Sequence, residues 1–240
     1  MVGLAALIIG AAVAALRAKK YCLKDTDVIL CATFAGIGLV SGGVILYAIV
    51  QTPRLVQHWA HFSDNFLMAL QFLFGGMVFY GGLFGTFLGL WLFARIFKQD
   101  FGNILRVTVP VMPLTHGIMR LGCFAAGCCH GIIHETLGIA FTRSPVAANG
   151  VPFLPVPLFE TAMNLIIFAI IWQFSKKPRK PLHLICLYAI PYAIGRFALE
   201  FLRGDAARGT ILTLSTSQFI SILVMLACAI ALILGDRKIA

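Results

Sequence analysis

Two arginines stand inside long apolar runs, where a membrane protein normally avoids a charge. Arg120 lies in segment 116–124, and Arg196 lies in segment 192–197. An arginine within a membrane span costs from about 3 to more than about 10 kcal/mol, depending on how far it reaches towards water. A guanidinium binds phosphate through two parallel hydrogen bonds, so both arginines are candidates to hold a lipid phosphate. The alternative is an internal ion pair with a carboxylate.

Two glutamates are the candidate partners of these arginines. Glu200 follows Arg196 by four positions, which places both residues on one face of a helix and predicts an ion pair. Glu160 ends segment 155–160, at the predicted start of another helix. There it either benefits from the positive end of the helix dipole or orients an arginine of the site. Both interpretations of Glu160 stay open at this point.

Three of the seven cysteines are clustered, and a histidine follows them. They are Cys123, Cys128 and Cys129, followed by His130. Such a group could bind zinc or another thiophilic metal, supply a thiolate nucleophile with a histidine base, or form a redox pair. The spacing is not Cys-x-x-Cys, and adjacent cysteines rarely share one ion comfortably. Close helix packing by small residues is the structural alternative.

A glycine-rich stretch is the fourth feature. Residues 75–85 include five glycines, and Tyr80 precedes Gly81 and Gly82. Small residues at this density allow two helices to pack closely. The alternative is that they leave room for a lipid headgroup, with the Tyr80 hydroxyl turned towards it.

The composition indicates which elements position these residues. Of the 240 residues, 60% are hydrophobic and 12% are charged, against about 45–50% and about 25% in a soluble domain. This excess predicts an all-α, polytopic membrane protein with a single transmembrane domain over residues 1–240. We place about seven helices at 2–16, 28–50, 66–97, 104–128, 156–174, 181–202 and 211–235. Glycines interrupt the third, which allows an interfacial or re-entrant piece at its start.

The basic residues indicate how these helices are oriented. Thirteen of the 19 Lys and Arg residues fall on one side of the predicted spans and four on the other, while Arg120 and Arg196 lie within spans. The positive-inside rule then places the N-terminus outside and the C-terminus in the cytoplasm. Topology therefore explains the net charge of +10. No face offers the basic and aromatic mixture of a nucleic-acid-binding protein.

In their order along the chain, these features resemble the prolipoprotein diacylglyceryl transferase family from about residue 75 to residue 222. Segment 75–85 is similar to the family's Gly-Gly-x-x-x-His-Gly-Gly stretch, with Tyr80 in place of the histidine. Arg120 matches the arginine of the signature Gly-Arg-x-Gly-Asn-Phe-x-Asn-Gly-Glu. Within that signature, Cys123 replaces the first asparagine and Cys128 replaces the glutamate.

The second half of the family pattern is also present. Segment 155–160 resembles the motif His-Pro-x-Gln-Leu-Tyr-Glu, and a later tyrosine–arginine pair is followed by two further charged residues. The terminal helix keeps one glutamine of its motif. The matching residues are Glu160, Tyr192, Arg196, Glu200, Arg203 and Gln218.

The resemblance implies a seven-helix enzyme of the bacterial inner membrane. Such enzymes move the diacylglyceryl group of phosphatidylglycerol to the lipobox cysteine of a preprolipoprotein and release glycerol phosphate. No cofactor, metal or nucleic acid is expected. Together with the motifs above, the candidate catalytic residues are Tyr80, Arg120, Arg196, Cys123, Cys128 and His130. The candidate substrate-binding residues are Gly81, Gly82, Gly122, Glu160, Tyr192, Glu200, Arg203 and Gln218.

The acceptor thiol must lose its proton before it attacks, and Tyr80, His116 and His130 are the candidate bases. Two alternatives to this function stay open. On the same scaffold, Cys123, Cys128 or Cys129 could be the reactive group, as an acyl or alkyl carrier or a redox thiol. Alternatively, the cysteine and histidine cluster could serve a non-enzymatic transporter or metal-binding membrane protein, although the chain shows no internal repeat.

Overall fold

The structure, a computed structural model, describes residues 2–57, 59, 65–204, 210–211 and 214–237. It is mainly helical, as the composition predicts. The α-helices are α1 (Val2–Ala18), α2 (Asp25–Gln57), α3 (Phe66–Phe74), α4 (Phe79–Ile96), α5 (Phe101–Thr108), α6 (Met112–Ala125), α7 (Val156–Phe174), α8 (Pro181–Glu200) and α9 (Thr216–Arg237). Short 3-10 helices cover Lys19–Tyr21 and Val109–Val111.

Five helical stretches among the described residues are long and apolar enough to cross a membrane. They are Val2–Tyr21, Asp25–Gln57, Val156–Phe174, Pro181–Glu200 and Thr216–Gly235. A further apolar helix, Tyr80–Ile96, is shorter. The prediction of a helical membrane protein with several spans is therefore confirmed. The count of seven, the orientation of the termini and the single domain over the whole chain stay predictions.

Two predicted spans are interrupted. The third is divided between α3 and α4 by residues 75–78, where glycines occur. The fourth tightens into a 3-10 turn between α5 and α6, where Pro110 cannot donate a backbone hydrogen bond. The α6 helix then ends at Ala125 instead of residue 128, because Gly127 adopts a left-handed conformation with φ of 66°.

The internal contacts of the chain form two compact units. The smaller unit comprises residues 15–104, in which α2 packs against α3 and α4. The larger unit comprises residues 1–14 and 105–240, in which α6 packs on α7, α7 on α8, and α8 on α9. The candidate arginines, glutamates and clustered cysteines all belong to the larger unit.

The glycine-rich stretch packs within the smaller unit. A Cβ atom added to Gly42 of α2 would lie 3.0 Å from the Cα atom of Gly85, and one added to Gly85 would lie 3.1 Å from the Cα atom of Gly42. Gly38 and Gly81 extend this contact along the two helices. Backbones approach so closely only where side chains are missing. This geometry favours the packing interpretation of the stretch.

Backbone hydrogen bonds join three segments at the ends of α6, α7 and α8. The Gly131 N–H donates to the Leu154 carbonyl at 2.8 Å, and the Leu154 N–H donates to the Ile132 carbonyl at 2.9 Å. The Ile132 N–H donates to the Leu202 carbonyl at 2.9 Å. We call this arrangement the three-segment junction; it comprises residues 131–134, 152–154 and 202–203.

Two short antiparallel strand pairs add to the helices and were not part of the all-α prediction. Strand β1 (Ile139–Ala140) pairs with β2 (Pro152–Phe153), and β3 (Thr210–Ile211) pairs with β4 (Leu214–Ser215). In register, Ile139 faces Phe153. Since Phe153 also bridges to Ile133, the first pair continues the three-segment junction. The loop between α6 and α7 is thereby ordered beside the candidate site.

Candidate active site

Glu160 is the centre of a buried charge cluster. Its carboxylate pairs with the guanidinium of Arg120, and its Oε1 atom lies 3.7 Å from Nη1 of Arg196 and 3.7 Å from Nη1 of Arg203. The Glu160 side chain is 1% exposed and the Arg203 side chain is 3% exposed. Of the two interpretations of Glu160, the one that makes it the partner of an arginine is confirmed, with three arginines in place of one.

Arg196 has two further partners. Its Nη2 atom lies 2.6 Å from Oε2 of Glu200 and donates to the Ser217 hydroxyl oxygen at 3.0 Å. The ion pair predicted from the four-residue spacing is therefore confirmed. Ser217 belongs to α9 and was missed by the sequence analysis, because its contact depends on how α8 and α9 pack.

The charges of this cluster do not balance among themselves. Arg120, Arg196 and Arg203 contribute three positive charges, whereas Glu160 and Glu200 contribute two negative charges. The set therefore carries one net positive charge in a poorly solvated place, where an anion is attracted more strongly than in water. Such a cluster suits a group with one negative charge, for example a phosphodiester.

A histidine and two tyrosines lie beside the arginines. The Nδ1 atom of His116 and the hydroxyl of Tyr188 are 2.8 Å apart, and the His116 ring centroid lies 4.9 Å from that of Tyr192. The Tyr192 hydroxyl also interacts with the charge of Arg120. His116 is 8% exposed, and this enclosure weakens the case for it as the base that meets a peptide thiol.

Helical spacing explains why these groups converge. Polar side chains recur every four residues on α8 and so line one face of that helix. They are Tyr188, Tyr192, Arg196 and Glu200. On α6, His116 and Arg120 have the same spacing. Tyr188 was not among the predicted site residues, although its position four residues before Tyr192 was a usable signal.

The backbone around Glu160 is held by two polar side chains of α7. Asn164 donates from Nδ2 to the Glu160 carbonyl at 2.8 Å, and the Thr161 hydroxyl lies 3.1 Å from the Gly117 carbonyl of α6. A Cβ atom on Gly117 would lie 3.4 Å from the Asn164 Cβ atom, so α6 and α7 are in close contact. Both side chains were missed, although polar residues beside Glu160 in an otherwise apolar helix were a signal.

The three clustered cysteines converge in space. Their Sγ atoms all lie within 4.8 Å of one another. Cys123 lies in the last turn of α6, which ends in a Schellman motif: the Gly127 N–H donates to the Phe124 carbonyl at 2.9 Å, and the Cys128 N–H donates to the Cys123 carbonyl at 3.0 Å. Cys129 is itself left-handed, with φ of 60°. This turn brings the thiols of two adjacent residues towards Cys123.

Cys129 connects the cysteines to the charge cluster. It lies in the loop after α6, and its thiol has hydrogen bonds with Cys123 and Arg203. The bond with Cys123, followed by the bond and charge of Arg203 and the charge of Arg120, lowers the pKa of the Cys129 thiol despite its burial. Cys129 was not among the candidate catalytic residues from the sequence, which were Cys123 and Cys128.

His130 lies at the edge of the three-segment junction. Its Nδ1 atom lies 3.0 Å from the Gly131 carbonyl, which can only accept a hydrogen bond, so Nδ1 carries the proton and Nε2 is the basic nitrogen. The imidazole ring is stacked near Phe153, with 3.9 Å between the ring centroids. His130 is thus held in one orientation next to Cys129.

Tyr80, Gly81 and Gly82 belong to the smaller unit. Tyr80 is 37% exposed and lines a largely apolar cavity of about 590 Å³ between α2 and α4. A Cβ atom on Gly81 would lie 2.6 Å from the Leu46 Cβ atom, and one on Gly82 would lie 3.1 Å from the Leu39 carbonyl oxygen. Both glycines are used in helix packing, and their predicted role in substrate binding stays a prediction.

Gly122 and Gln218 also have structural roles. A Cβ atom on Gly122 would lie 3.1 Å from the Cβ atom of Val2, so α1 and α6 pack closely at this point. Gln218 forms a capping box with Ser215 at the start of α9: the Ser215 N–H donates to Gln218 Oε1 at 3.0 Å, and the Gln218 N–H donates to Ser215 Oγ at 3.2 Å. Substrate binding by these two residues stays a prediction.

The sequence of the chain is similar to those of known transferases. The sequence matches a family model described as prolipoprotein diacylglyceryl transferase over residues 1–234. A phosphatidylglycerol–prolipoprotein diacylglyceryl transferase of Clostridium tetani (strain Massachusetts / E88) is 34% identical over 208 residues, which cover 86% of this chain and 80% of the relative.

Two further relatives carry the same description. The second such transferase of Clostridium perfringens (strain 13 / Type A) is 34% identical over 188 residues, covering 78% of this chain and 70% of the relative. The transferase of Xanthomonas oryzae pv. oryzae (strain PXO99A) is 31% identical over 223 residues, covering 84% of this chain and 73% of the relative.

Proposed function

The chain belongs to the prolipoprotein diacylglyceryl transferase family, and from this premise we propose that it transfers the diacylglyceryl group of phosphatidylglycerol to the cysteine thiol of a prolipoprotein. It is a transferase, so the non-enzymatic alternatives are set aside. The names of its relatives specify this donor and this acceptor. The lipobox around the acceptor cysteine and the bacterial inner membrane as the location are further parts of the proposal.

The observation that carries the proposal is the net positive charge of the cluster around Glu160. Phosphatidylglycerol has one negative charge on its phosphodiester. When the bond between the diacylglyceryl carbon and the phosphate oxygen breaks, the departing glycerol phosphate gains a second negative charge. Guanidiniums already fixed in a dry site stabilise that growing charge more strongly than water does, and they need no reorganisation.

The roles of the charged residues follow from this chemistry. Arg120, Arg196 and Arg203 hold the phosphate and stabilise its departure. The positioning residues are Glu160, Tyr192 and Glu200. In the reaction, the acceptor sulfur forms a bond to the diacylglyceryl carbon, the carbon–oxygen bond to the phosphate breaks, and its electron pair leaves with glycerol phosphate. The proton of the thiol passes to a base.

We assign that base to His130, whose Nε2 atom is the basic nitrogen. Support comes from the backbone bridge between Gly131, which follows it, and Arg203 of the cluster. Tyr80 is the second candidate. Four further residues are proposed to contact the lipid substrate: Gly81, Gly82, Gly122 and Gln218.

We also propose that the chain crosses the membrane seven times as one transmembrane domain, with the N-terminus outside and the C-terminus in the cytoplasm. Five spans are the long apolar helices. The other two spans are the α4 helix and the continuous helical stretch 101–125. The distribution of Lys and Arg supports this orientation.

The proposal is tested with the purified protein in vesicles that contain phosphatidylglycerol, a lipobox peptide as acceptor, and mass spectrometry of the thioether product. Arg120→Ala and Arg196→Ala are each expected to lower the transfer rate by about 100- to 1,000-fold. The matched control is Arg95→Ala, which removes an exposed guanidinium that lies 5.2 Å from the Trp91 ring in the smaller unit. This control is expected to leave the rate unchanged.

Two substrate controls complete the test. A peptide with serine in place of the cysteine, and vesicles of phosphatidylcholine alone, are expected to give no product. Undiminished transfer by both arginine variants would show that the cluster does not hold the donor phosphate.

A further inference from the structure

The three cysteines at the end of α6 lie beside the arginines, yet holding and releasing the donor phosphate does not require them. We propose that Cys123, Cys128 and Cys129 bind one zinc ion, and that the thiol of the acceptor peptide completes its coordination as the fourth ligand. The identity of this acceptor rests on the proposed function.

The spacing of the sulfurs fits one metal ion. Zinc–sulfur bonds of about 2.3 Å place the sulfurs of a tetrahedral site about 3.8 Å apart. The three Sγ atoms lie within 4.8 Å of one another, so small side-chain rotations bring them to that distance. Among the described residues this group offers three ligand atoms. Three protein ligands and one open position are typical of catalytic zinc sites, whereas structural sites have four.

The backbone conformation after α6 allows two adjacent cysteines to act as ligands of one ion. Side chains of successive residues normally diverge. Here the Schellman motif reverses the chain at Gly127, and Cys129 is left-handed with φ of 60°. This conformation is uncommon for a residue other than glycine. It lets the thiols of Cys128 and Cys129 face Cys123 together.

The surrounding charges fit a zinc–thiolate complex better than a bare cation. Three thiolates around a divalent ion carry one net negative charge, which balances the one surplus positive charge of the Glu160 cluster, so the guanidiniums would hold the donor phosphate through their hydrogen bonds. Arg203 has a hydrogen bond with the Cys129 sulfur, and the charge of Arg120 acts on both Cys123 and Cys129. Hydrogen-bond donors that contact the ligands of a metal ion orient and stabilise those ligands. The same arginines hold the donor phosphate in our proposal, which brings donor and acceptor together.

The chemistry of the transfer favours a metal over a covalent carrier. A cysteine of the enzyme that took up the diacylglyceryl group would hold it as a thioether, and a thiolate is a poor leaving group for a second thiol to displace. With zinc held by the three cysteines, the acceptor thiol would instead give its proton to His130 and remain a nucleophile. Its sulfur then bonds to the diacylglyceryl carbon as the carbon–oxygen bond breaks, without an oxidant or a reductant.

The test uses cobalt(II) as a spectroscopic substitute for zinc in the full-length protein. We expect one cobalt per chain and an intense sulfur-to-cobalt absorption band. This band is expected to be lost in Cys123→Ser, Cys128→Ser and Cys129→Ser. The matched control is Cys186→Ser, since Cys186 is buried in α8 and contacts Cys228 instead; it is expected to keep the band. The retained helical circular dichroism of each variant shows that it has folded.

The acceptor is tested on the same cobalt protein. A lipobox peptide with cysteine is expected to shift the cobalt ligand-field bands, and the serine peptide is expected to leave them unchanged. The zinc proposal is overturned by the absence of stoichiometric metal, by cobalt binding that survives all three serine substitutions, or by a spectrum that the cysteine peptide does not change. A disulfide among these cysteines in fully active protein also overturns it.

Failure of the zinc site and failure of the transferase assignment give different results. Transfer at full rate after complete removal of zinc overturns the zinc proposal and leaves the transferase assignment standing. A peptide-dependent cobalt shift without any lipidated product supports the metal site and contradicts the proposed donor chemistry.

Discussion

The Oε1 atom of Glu160 lies 3.7 Å from Nη1 of Arg203, although Glu160 is near the start of α7 and Arg203 follows the end of α8. The backbone bridge between Gly131 and Arg203 fixes this approach. Arg203, which directly follows the predicted span 181–202, therefore belongs to the buried cluster. It provides a third guanidinium beside the two that stand within apolar runs.

Arg203→Ala is expected to lower the transfer rate by about 100- to 1,000-fold, because it removes a guanidinium placed to stabilise the departing phosphate. Arg203→Lys keeps the charge but loses the planar fork, so it is expected to recover only part of the rate. Initial rates at saturating phosphatidylglycerol measure both effects. An unaltered rate in Arg203→Ala would remove Arg203 from the site.

Glu160→Gln is expected to destabilise the protein by about 3–5 kcal/mol, because it leaves three buried guanidiniums without their shared carboxylate. The measurement is thermal unfolding in detergent, followed by circular dichroism. Glu135→Gln is the control, since Glu135 is exposed in the loop after α6. Equal unfolding midpoints for the two variants would contradict the central position of Glu160.

Tyr188→Phe and Tyr192→Phe distinguish a tyrosine that stabilises the folded site from one that contributes to the transfer reaction. Tyr188→Phe removes the hydrogen bond with His116, and it is expected to cost about 1 kcal/mol of stability with a small effect on transfer. Tyr192→Phe removes the hydroxyl that interacts with the charge of Arg120, and it is expected to lower transfer more than stability. Unfolding midpoints and transfer rates of both variants check this. If Tyr188→Phe lowered transfer more and Tyr192→Phe lowered stability more, the two tyrosines would have the opposite roles.

Gly127→Ala is expected to destabilise the end of α6 and disperse the cysteine cluster. Its left-handed φ costs an alanine about 1–2 kcal/mol, and the new Cβ atom would lie 2.7 Å from the Cβ atom of Ser144. Gly150→Ala is the matched control, since Gly150 has φ of 81° and open space around it. The difference between the unfolding midpoints of the two variants measures the part of the destabilisation that comes from the contact with Ser144. Equal midpoints would mean that Ser144 moves aside freely.

Gln218→Ala and Ser215→Ala distinguish a helix cap from a substrate contact. Each breaks the capping box of α9 and is expected to cost about 1 kcal/mol of stability. If Gln218 also binds the lipid, Gln218→Ala lowers transfer more than Ser215→Ala does. Equal transfer rates of the two variants would show that Gln218 caps the helix and does not bind the lipid.

Local spacing made part of the site predictable. The pair of Arg196 and Glu200 follows from four-residue spacing on one helix, and the same rule would have included Tyr188. The helical nature of the chain follows from its composition, and the break between α3 and α4 follows from the glycines there. Each of these depends only on neighbouring residues.

Features that depend on tertiary approach were beyond the sequence. The contacts of Glu160 with Arg120 and Arg203 require that α6, α7 and the segment after α8 meet, and no local pattern encodes those distances. The convergence of adjacent cysteines depends on a left-handed Cys129, which the conformational preference of cysteine opposes. The 3-10 turn at Val109–Val111 has a local signal in Pro110, which cannot donate a backbone hydrogen bond.

The three-segment junction has a consequence for timing. Its backbone hydrogen bonds connect the ends of α6, α7 and α8, so none of these ends can open locally without breaking bonds shared with a neighbour. Amide protons of Gly131, Ile132 and Leu154 should therefore exchange with solvent in one cooperative step. If lipid entry requires that opening, its frequency sets the upper limit for turnover, however fast the chemical step is.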